Sequence, residues 1–173
     1  MAERTKIWIA DKMKELMKAK PLDKIRVTEI CRVSEIERPT FYYHFKDKYD
    51  LVAWIFLNDA YDTDVISVQS AAKGMERMRQ EFVFYKRAYD DTSQNPLWEY
   101  MLEYFVKRYE AVAKEKLNTE LLDTQLKYSI RLYCYGSVGM TREWLLNDNT
   151  TSAETVVQMM FASMPENMKD IYF

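Results

Sequence analysis

The chain has 173 residues, of which 48% are hydrophobic, and this is enough apolar material to bury a core. Three glycines and four prolines are too few for a turn-rich β protein and favour long helices. The net charge of −2 shows no overall basic character, and no apolar run approaches the roughly 18 residues of a membrane span. Because the first residues also lack the apolar stretch of a secretory signal, we predict a cytoplasmic protein with no membrane partner.

The charges are distributed unevenly along the chain. Residues 1–50 contain 12 Lys and Arg against 9 Asp and Glu, whereas residues 51–173 contain 13 against 18. This asymmetry indicates a basic N-terminal domain on an acidic body, although a difference of this size also arises by chance. We predict two domains, at 1–50 and 51–173.

In the first sixty residues the apolar spacing predicts an array of helices. Pro21 ends the first helix, and Thr28 is a suitable N-cap for the second. Pro39 fits the first turn of the third helix, and Asp47 is placed to cap the fourth. Two short helices joined by about four residues are typical of a helix-turn-helix. The predicted helices cover residues 5–19, 28–33 and 38–45, and the fourth runs from 48 toward Asp62.

The third helix carries the octapeptide RPTFYYHF, residues 38–45, with four aromatic rings and the single histidine of the chain. Phe41 and Phe45 lie four apart, so we expect both to face the core together with Leu51. The remaining polar-tipped side chains then lie on other faces, beside two lysines, where they suit hydrogen bonds to phosphate oxygens. Half-buried tyrosines in an ordinary core helix are the alternative. The outward-facing residues are Thr40, Tyr42, Tyr43 and His44, and the lysines are Lys46 and Lys48.

The segment VTEICRVSEIERPTFYYHFKDKYDL, residues 27–51, resembles the DNA-binding segment of the TetR family of bacterial transcription regulators. The shared pattern is Thr-Phe-Tyr-x-x-Phe followed by Lys-x-Lys and Leu, which here begins at Thr40 and ends at Leu51. The resemblance covers residues 6 to about 55. Two positions depart from it: Glu35 stands where the family usually has Gly, and Glu37 where it usually has Ser or Thr. Both place acidic groups near phosphates.

The resemblance implies an all-α fold, with an N-terminal three-helix helix-turn-helix domain and a C-terminal helical bundle that dimerises. A homodimer would place two third helices in successive major grooves of double-stranded DNA, about 34 Å apart, on a palindromic operator. The family supplies repressors, and the sign of regulation, repressor or activator, stays open. We assign Arg38, Pro39 and Thr40 to base edges, and Thr28, Tyr42, Tyr43, His44, Lys46 and Lys48 to the DNA backbone.

Beyond residue 63 the pattern predicts further helices at 75–89, 96–116 and 119–146, one capped by Ser152, and a terminal turn at Pro165. Aromatic and Met side chains are frequent between residues 82 and 109. They indicate either a pocket for a small-molecule effector or plain core packing, and a partner protein acting at this region is a further alternative. The pocket candidates are Tyr85, Tyr89, Trp98, Met101 and Phe105.

Within the long helix at 119–146, Gly136 and Gly139 lie three apart on one face. Each glycine costs a helix about 1 kcal/mol relative to alanine, so we expect close approach of another helix there. That helix belongs either to the end of the same chain or to a second subunit, and the family resemblance favours a second subunit. The predicted dimer interface includes Met140. The stretch YGSVGMTREWLLN, residues 135–147, is also similar to family members that control dihydroxyacetone utilisation.

Two rival functions are weighed against a DNA-binding regulator. An enzyme needs a poised acid, base or nucleophile, but the chain offers one histidine and no glycine-rich or metal-spaced motif. Cys31 and Cys134 lie about a hundred residues apart, which suits small buried side chains. We therefore predict no enzymatic activity, metal or cofactor. The second rival, a helical protein-interaction module that has lost DNA binding, is suggested by Glu35 and Glu37.

Overall fold

A computed structural model of the chain describes residues 2–60, 66–90, 97–148 and 150–173. In these ranges the secondary structure is entirely helical, which confirms the all-α prediction. A 3-10 turn, Leu22–Lys24, lies between the first two of the following helices: α1 Ala2–Ala19, α2 Val27–Val33, α3 Arg38–His44, α4 Lys48–Ala60, α5 Val68–Gln80, α6 Phe82–Asp90, α7 Leu97–Leu117, α8 Thr124–Asn147, α9 Ala153–Ala162 and α10 Glu166–Tyr172. None of the helices described has the length and hydropathy for a bilayer crossing.

The helices form two compact units. The first unit contains residues 1–60 and 77–97, and the second contains residues 61–76 and 98–173. The chain therefore enters the second unit after α4, returns for the end of α5 and for α6, and leaves again at α7. The boundary predicted at residue 50 remains a prediction, whereas the first unit by contacts is larger than the helix-turn-helix alone.

The core of the first unit is built around α1. Its apolar side chains Ile9, Met13 and Met17 recur at a spacing of four and are completely buried, as expected for a helix that packs one face. At the end of α1, the carbonyl oxygen of Met17 accepts a hydrogen bond of 2.7 Å from Nη1 of Arg87 on α6. This bond satisfies a carbonyl that has no partner within α1 and joins α6 to the helix-turn-helix.

The core of the second unit lies between α7, α8 and α10. Tyr109 on α7 stacks edge-on against Tyr133 on α8 and Tyr172 on α10, with ring centroids 5.6 and 4.9 Å away. The hydroxyl of Tyr172 donates to the carbonyl oxygen of Tyr109 at 2.5 Å. This polar link inside an apolar cluster fixes the terminal helix to α7, because a buried hydroxyl without a partner is costly.

Two predicted caps are confirmed. The Asp47 carboxylate accepts the amide protons of Tyr49 and Asp50 at 2.8 Å each, and so caps α4. The Ser152 hydroxyl accepts the amide of Thr155 at 3.1 Å at the start of α9. Such caps are local features of the sequence, since donor and acceptor lie two or three residues apart.

Other predicted boundaries are wrong. The residue at the N-cap of α2 is Arg26, which makes no side-chain capping bond, and Thr28 lies within the first turn. The helix predicted to open after Gly74 begins at Val68 instead, with Gly74 buried inside it, and a break at Glu81 divides it from α6.

The long helix at 119–146 starts later than predicted. Its first residue is Thr124, because the carboxylate of Asp123 accepts the amide of Leu126 at 2.9 Å and caps α8 there. The predicted helix start at Pro96 and the approach of α4 to Asp62 lie outside the described residues.

Candidate nucleic-acid interface

The turn between α2 and α3 places the two helices for a shared core. Ile30 and Cys31 of α2 and Phe41 of α3 are buried. Between the helices, Glu35 adopts a φ of 54°, in the left-handed region that favours glycine. The turn therefore has a backbone geometry that glycine adopts without strain, and Glu35 bears a local strain of about 1 kcal/mol there.

The outward face of α3 is exposed in the way that the DNA-binding prediction requires. Tyr42 and Tyr43 are 48% and 79% exposed. Arg38 and Pro39 at the start of α3 are also exposed, and His44 is half-buried. Thr40 is half-buried too, and Thr28 is exposed on α2. An accessible row of hydroxyl, imidazole and guanidinium groups is thus available along one helix.

Two ring contacts order this face. The guanidinium carbon of Arg38 lies 5.8 Å from the ring centroid of Tyr42, one turn further along α3. Tyr42 in turn meets the ring of Phe41 edge-on at 5.5 Å. Stacking against Tyr42 restricts the rotamers of Arg38, and this reduces the entropy that Arg38 loses when it binds a ligand.

Phenylalanines support the face from beneath, as predicted. Phe41 and Leu51 are 0% exposed, and Phe45 is 2% exposed. Phe45 also packs edge-on against Trp54 of α4 at 5.8 Å. The ammonium of Lys6 on α1 lies 5.9 and 5.7 Å from the centroids of these two rings. Helices α1 and α4 therefore both hold the C-terminal end of α3.

The two lysines after α3 have different surroundings. The side chain of Lys46 is exposed. Its backbone amide donates to Asp50 Oδ2 at 2.9 Å. Lys48 turns inward, and its ammonium donates to the carbonyl oxygens of Leu22 and Ile25 at 2.7 and 2.9 Å. The predicted phosphate contact of Lys48 is at odds with this arrangement, because its donors are already engaged.

Charge at the interface is mixed. Glu35 and Glu37 are exposed next to the cationic start of α3. Burial raises the pKa of the Cys31 thiol, and the positive charge of Arg38 opposes this increase. Cys31 therefore stays a neutral thiol and serves as a small apolar residue of the helix-turn-helix core. Within the described ranges, no cluster of three or more His, Cys, Asp or Glu side chains is arranged to hold a metal.

The predicted effector residues are divided between the two units. Tyr85 and Tyr89 are buried in the first unit, whereas Trp98, Met101 and Phe105 belong to the second. A cavity of about 70 Å³ lies inside the second unit, and Phe105 is the predicted residue that lines it. The lining is mostly apolar and also includes hydroxyl groups; it contains Ile66, Met75, Phe105, Tyr109, Tyr133, Ser137, Val138, Thr141 and Phe161.

One face of α8 is apolar and uncovered. Tyr128 and Leu132 are 74% and 71% exposed, and Met140 is half exposed. A Cβ atom added at Gly136 or Gly139 would meet nothing within 4 Å. The alternative in which the chain's own final helix packs on these glycines is therefore wrong, since no described residue of the chain lies against them.

The fold and the exposed face of α3 define a helix-turn-helix DNA-binding protein with a separate helical C-terminal region. Residues 9–55 match the family model of bacterial regulatory proteins of the tetR family, and residues 69–166 match that of a transcriptional regulator C-terminal region. The chain belongs to the TetR family of bacterial transcription regulators. As members of this family are DNA-binding regulators, the chain is not an enzyme.

Two similar proteins carry the name DhaS. The HTH-type dhaKLM operon transcriptional activator DhaS of Lactococcus lactis subsp. lactis (strain IL1403) is 39% identical over 51 residues. That match covers 30% of this chain and only 27% of the relative's length. A solved structure, the dihydroxyacetone kinase operon activator DhaS, matches 98% of both chains with a TM-score of 0.65 at 20% identity, which shows the shared fold.

Proposed function

We propose that the chain is a homodimeric, sequence-specific regulator that binds a near-palindromic operator through α3 and responds to an effector at its second unit. The observation that carries the proposal is the outward face of α3, where Tyr42 and Tyr43 are exposed above buried Phe41 and Phe45. Such an arrangement leaves polar-tipped rings free for a duplex while the helix stays anchored in its own core. Location in the cytoplasm belongs to the same proposal.

At the operator, the N-terminal end of α3 reads bases. Arg38 suits a bidentate contact to guanine, Pro39 contact with a thymine methyl group, and Thr40 a hydrogen bond to a base edge. Glu37 is placed to accept from a cytosine amino group, which would convert an unfavourable charge into specificity. The remaining contacts go to the DNA backbone and come from Thr28, Tyr42, Tyr43, His44 and Lys46.

Dimerisation is supported by the exposed face of α8. A row of large apolar side chains in water is unfavourable unless it is an interface. Among the described residues, Tyr128 and Leu132 belong to the most exposed large hydrophobic side chains. Open space at Gly136 and Gly139 allows a second helix to approach closely. A two-fold dimer through this face and Met140 would present two copies of α3, which requires half-sites about 34 Å apart.

The effector site proposed here is the cavity of the second unit. Burial raises the pKa values of Tyr109 and Tyr133, and it raises the pKa of Cys134 to about 12, so all three side chains stay neutral. A mainly apolar wall with neutral hydroxyls suits a small, largely apolar molecule. An effector that prefers a dimer with the wrong half-site separation lowers operator affinity by its differential affinity for the two states.

The sign of regulation depends on where the operator lies. A dimer bound across a promoter excludes polymerase and represses, whereas a dimer bound upstream of a promoter can activate, and the relative from Lactococcus lactis is named as an activator. A reporter gene with the selected operator upstream of, or overlapping, its promoter distinguishes the two. The same assay with a protein partner supplied instead of a small molecule identifies the kind of effector.

The experiment that tests the proposal removes two of these DNA-backbone contacts together. Tyr42→Ala with Lys46→Ala changes only exposed side chains, so we expect operator affinity to fall at least about 100-fold while helix content and dimerisation persist. Fluorescence anisotropy measures DNA binding, and sedimentation checks the dimer. An unchanged affinity would instead favour a protein-interaction module that has lost DNA binding.

A further inference from the structure

Lys48 is the first residue of α4, and its side chain folds back over the helix-turn-helix. Its Nζ lies 2.7 Å from the carbonyl oxygen of Leu22, 2.9 Å from that of Ile25 and 3.3 Å from that of Asp23. An ammonium group has three N–H donors. These three carbonyls therefore occupy every donor of Lys48, and none remains for a phosphate oxygen.

The carbonyls that Lys48 contacts have a particular need for a cation. They belong to the 3-10 turn Leu22–Lys24 and to Ile25, directly before α2. The carbonyl oxygen of Leu22 already accepts the amide of Ile25 at 3.1 Å, so the ammonium of Lys48 is a second donor to it. Carbonyls at the end of a helical turn form the negative end of the peptide dipoles. The ammonium of Lys48 therefore supplies further donors and the complementary charge.

These bonds also join the segment before α2 to the segment after α3. Residues 22–25 precede α2 and Lys48 follows α3, so contacts between positions 23 to 26 apart join the two ends of the motif. A second long-range bond holds its middle, because the indole Nε1 of Trp8 donates to the carbonyl oxygen of Ser34 at 2.9 Å. With both ends and the turn attached, the angle between α2 and α3 is fixed.

We propose that Lys48 is a positioning residue that sets the geometry of α3 and does not contact DNA phosphate. Arg38, at the base edges, and Lys46, at the DNA backbone, then remain as the cations of this segment whose positive charge displaces counterions from the duplex. A dimer would release counterions for about four phosphates, so the slope of log affinity against log salt is about −4 rather than the −5 expected if Lys48 also made a contact. The proposal depends on the DNA binding of the family and not on the operator or effector proposed above.

The test compares Lys48→Met with Lys46→Met. Each variant removes one lysine ammonium, and the two positions lie two residues apart. Binding is measured against salt with a mixed-sequence duplex of about 30 base pairs, since non-specific affinity is carried by phosphate contacts. Lys46→Met is expected to reduce the slope by about 2 per dimer, and Lys48→Met by less than about 0.5. This measurement requires no knowledge of the operator.

Replacing a positioning residue should also change the stability and the local exchange of the free protein, in the absence of DNA. We expect Lys48→Met to lower the Tm by about 5 °C or more and to speed hydrogen–deuterium exchange in residues 22–33, while residues 97–117 are unaffected. Lys46→Met should change neither, because the Lys46 side chain is exposed.

If Lys48→Met does not fold, Lys48→Arg distinguishes a positioning role of Lys48 from a phosphate contact. Arginine keeps the charge for a phosphate, but its planar fork does not converge on three carbonyls as an ammonium does. The proposal expects faster exchange in residues 22–33 and an unchanged salt slope for Lys48→Arg. It is overturned if Lys48→Met loses as much slope as Lys46→Met, or if both Lys48 variants keep the parent's Tm and exchange.

Discussion

Helices α3 and α8 both expose aromatic rings, but the neighbours of those rings differ. On α3, Tyr42 and Tyr43 lie beside Arg38 and close to Lys46. On α8, Tyr128 shares its exposed face with Leu132 and Met140, and with two glycines that leave open space. The first face combines rings with cations, and the second combines rings with aliphatic side chains and a surface that another helix can approach.

The difference indicates what each surface binds. Polar-tipped rings next to cations suit a polyanion, because phosphate accepts hydrogen bonds and attracts charge. Rings among leucine, methionine and glycine suit a protein surface of the same kind, since the main gain is apolar area removed from water. The same residue type, tyrosine, thus serves two kinds of interface, and its neighbours decide which.

The largest effect is expected from a charge placed in the α8 face. Leu132→Glu would bury two carboxylates in a two-fold interface, at a cost of about 5 kcal/mol per dimer. We therefore expect the dimer dissociation constant to rise more than about 1000-fold, with sedimentation velocity showing monomer at micromolar concentration.

The control for this variant is Leu117→Glu, at an exposed leucine on α7 that lies outside the α8 face. It should leave the dimer intact. If both variants lose the dimer equally, or if both keep it, α8 is not the dimer interface. The exposed face of α8 would then not differ from that of α3 in the way described.

The next effect tests base reading by α3. Arg38→Ala removes a stacked guanidinium and, with two copies per dimer, should weaken operator binding by about 3 kcal/mol and relax the preference for guanine. Arg38→Lys keeps the charge but not the bidentate geometry, so it should recover non-specific affinity and not specificity. Competition binding with single-base operator variants measures both. A full recovery of specificity by lysine would show that Arg38 contacts only phosphate.

A smaller effect, of opposite sign, is expected at the turn. Glu35→Gly relieves the left-handed φ of 54° and should stabilise the folded chain by about 1 kcal/mol. It also removes a negative charge near DNA, so non-specific affinity should rise. Glu37→Gly is the control, because its φ of −82° is ordinary and glycine gains nothing there. Thermal unfolding compares the two, and a stabilising Glu37→Gly would contradict the explanation by backbone strain.

The smallest effect is a pH-dependent contribution of Asp148, at the end of α8, to the stability of the fold. The pKa of Asp148 lies well below its usual range because its carboxylate accepts hydrogen bonds. The largest contribution comes from the amide of Thr151 at 3.0 Å, and Thr150 adds to it. A carboxyl with a lowered pKa in the folded state stabilises above its unfolded pKa of about 4 and loses this contribution as the pH falls. Asp148→Asn should therefore lower Tm at about pH 7 and match the parent in acid. A difference that persists at low pH would indicate a different cause.

Local signals predicted much of the helix-turn-helix. The capping of α4 by Asp47, the place of Pro39 in the first turn of α3 and the burial of Phe41 and Phe45 all depend on residues within one or two turns. The placement of Lys48 was not predictable in this way. Its acceptors lie 23 to 26 residues earlier in the chain, and a lysine next to a recognition helix is equally suited to phosphate.

The second unit was predicted less well for the same physical reason. A stripe of rings at helical spacing indicates a packed face, but it does not tell which helix packs there. Tyr85 and Phe105 both belong to such stripes, yet Tyr85 is buried in the first unit and Phe105 lines the cavity of the second. The break at Glu81 between α5 and α6 has no local signal either, because neither proline nor glycine stands there.

Selection of bound duplexes from a random DNA pool tests the central claim, that the exposed face of α3 recognises specific DNA, most directly. We expect enrichment of a near-palindrome whose half-sites are centred about one helical turn, 10 base pairs, or a multiple of it apart. The enrichment should vanish for the Arg38→Ala variant. A pool that stays unenriched while the folded dimer is intact would contradict the claim.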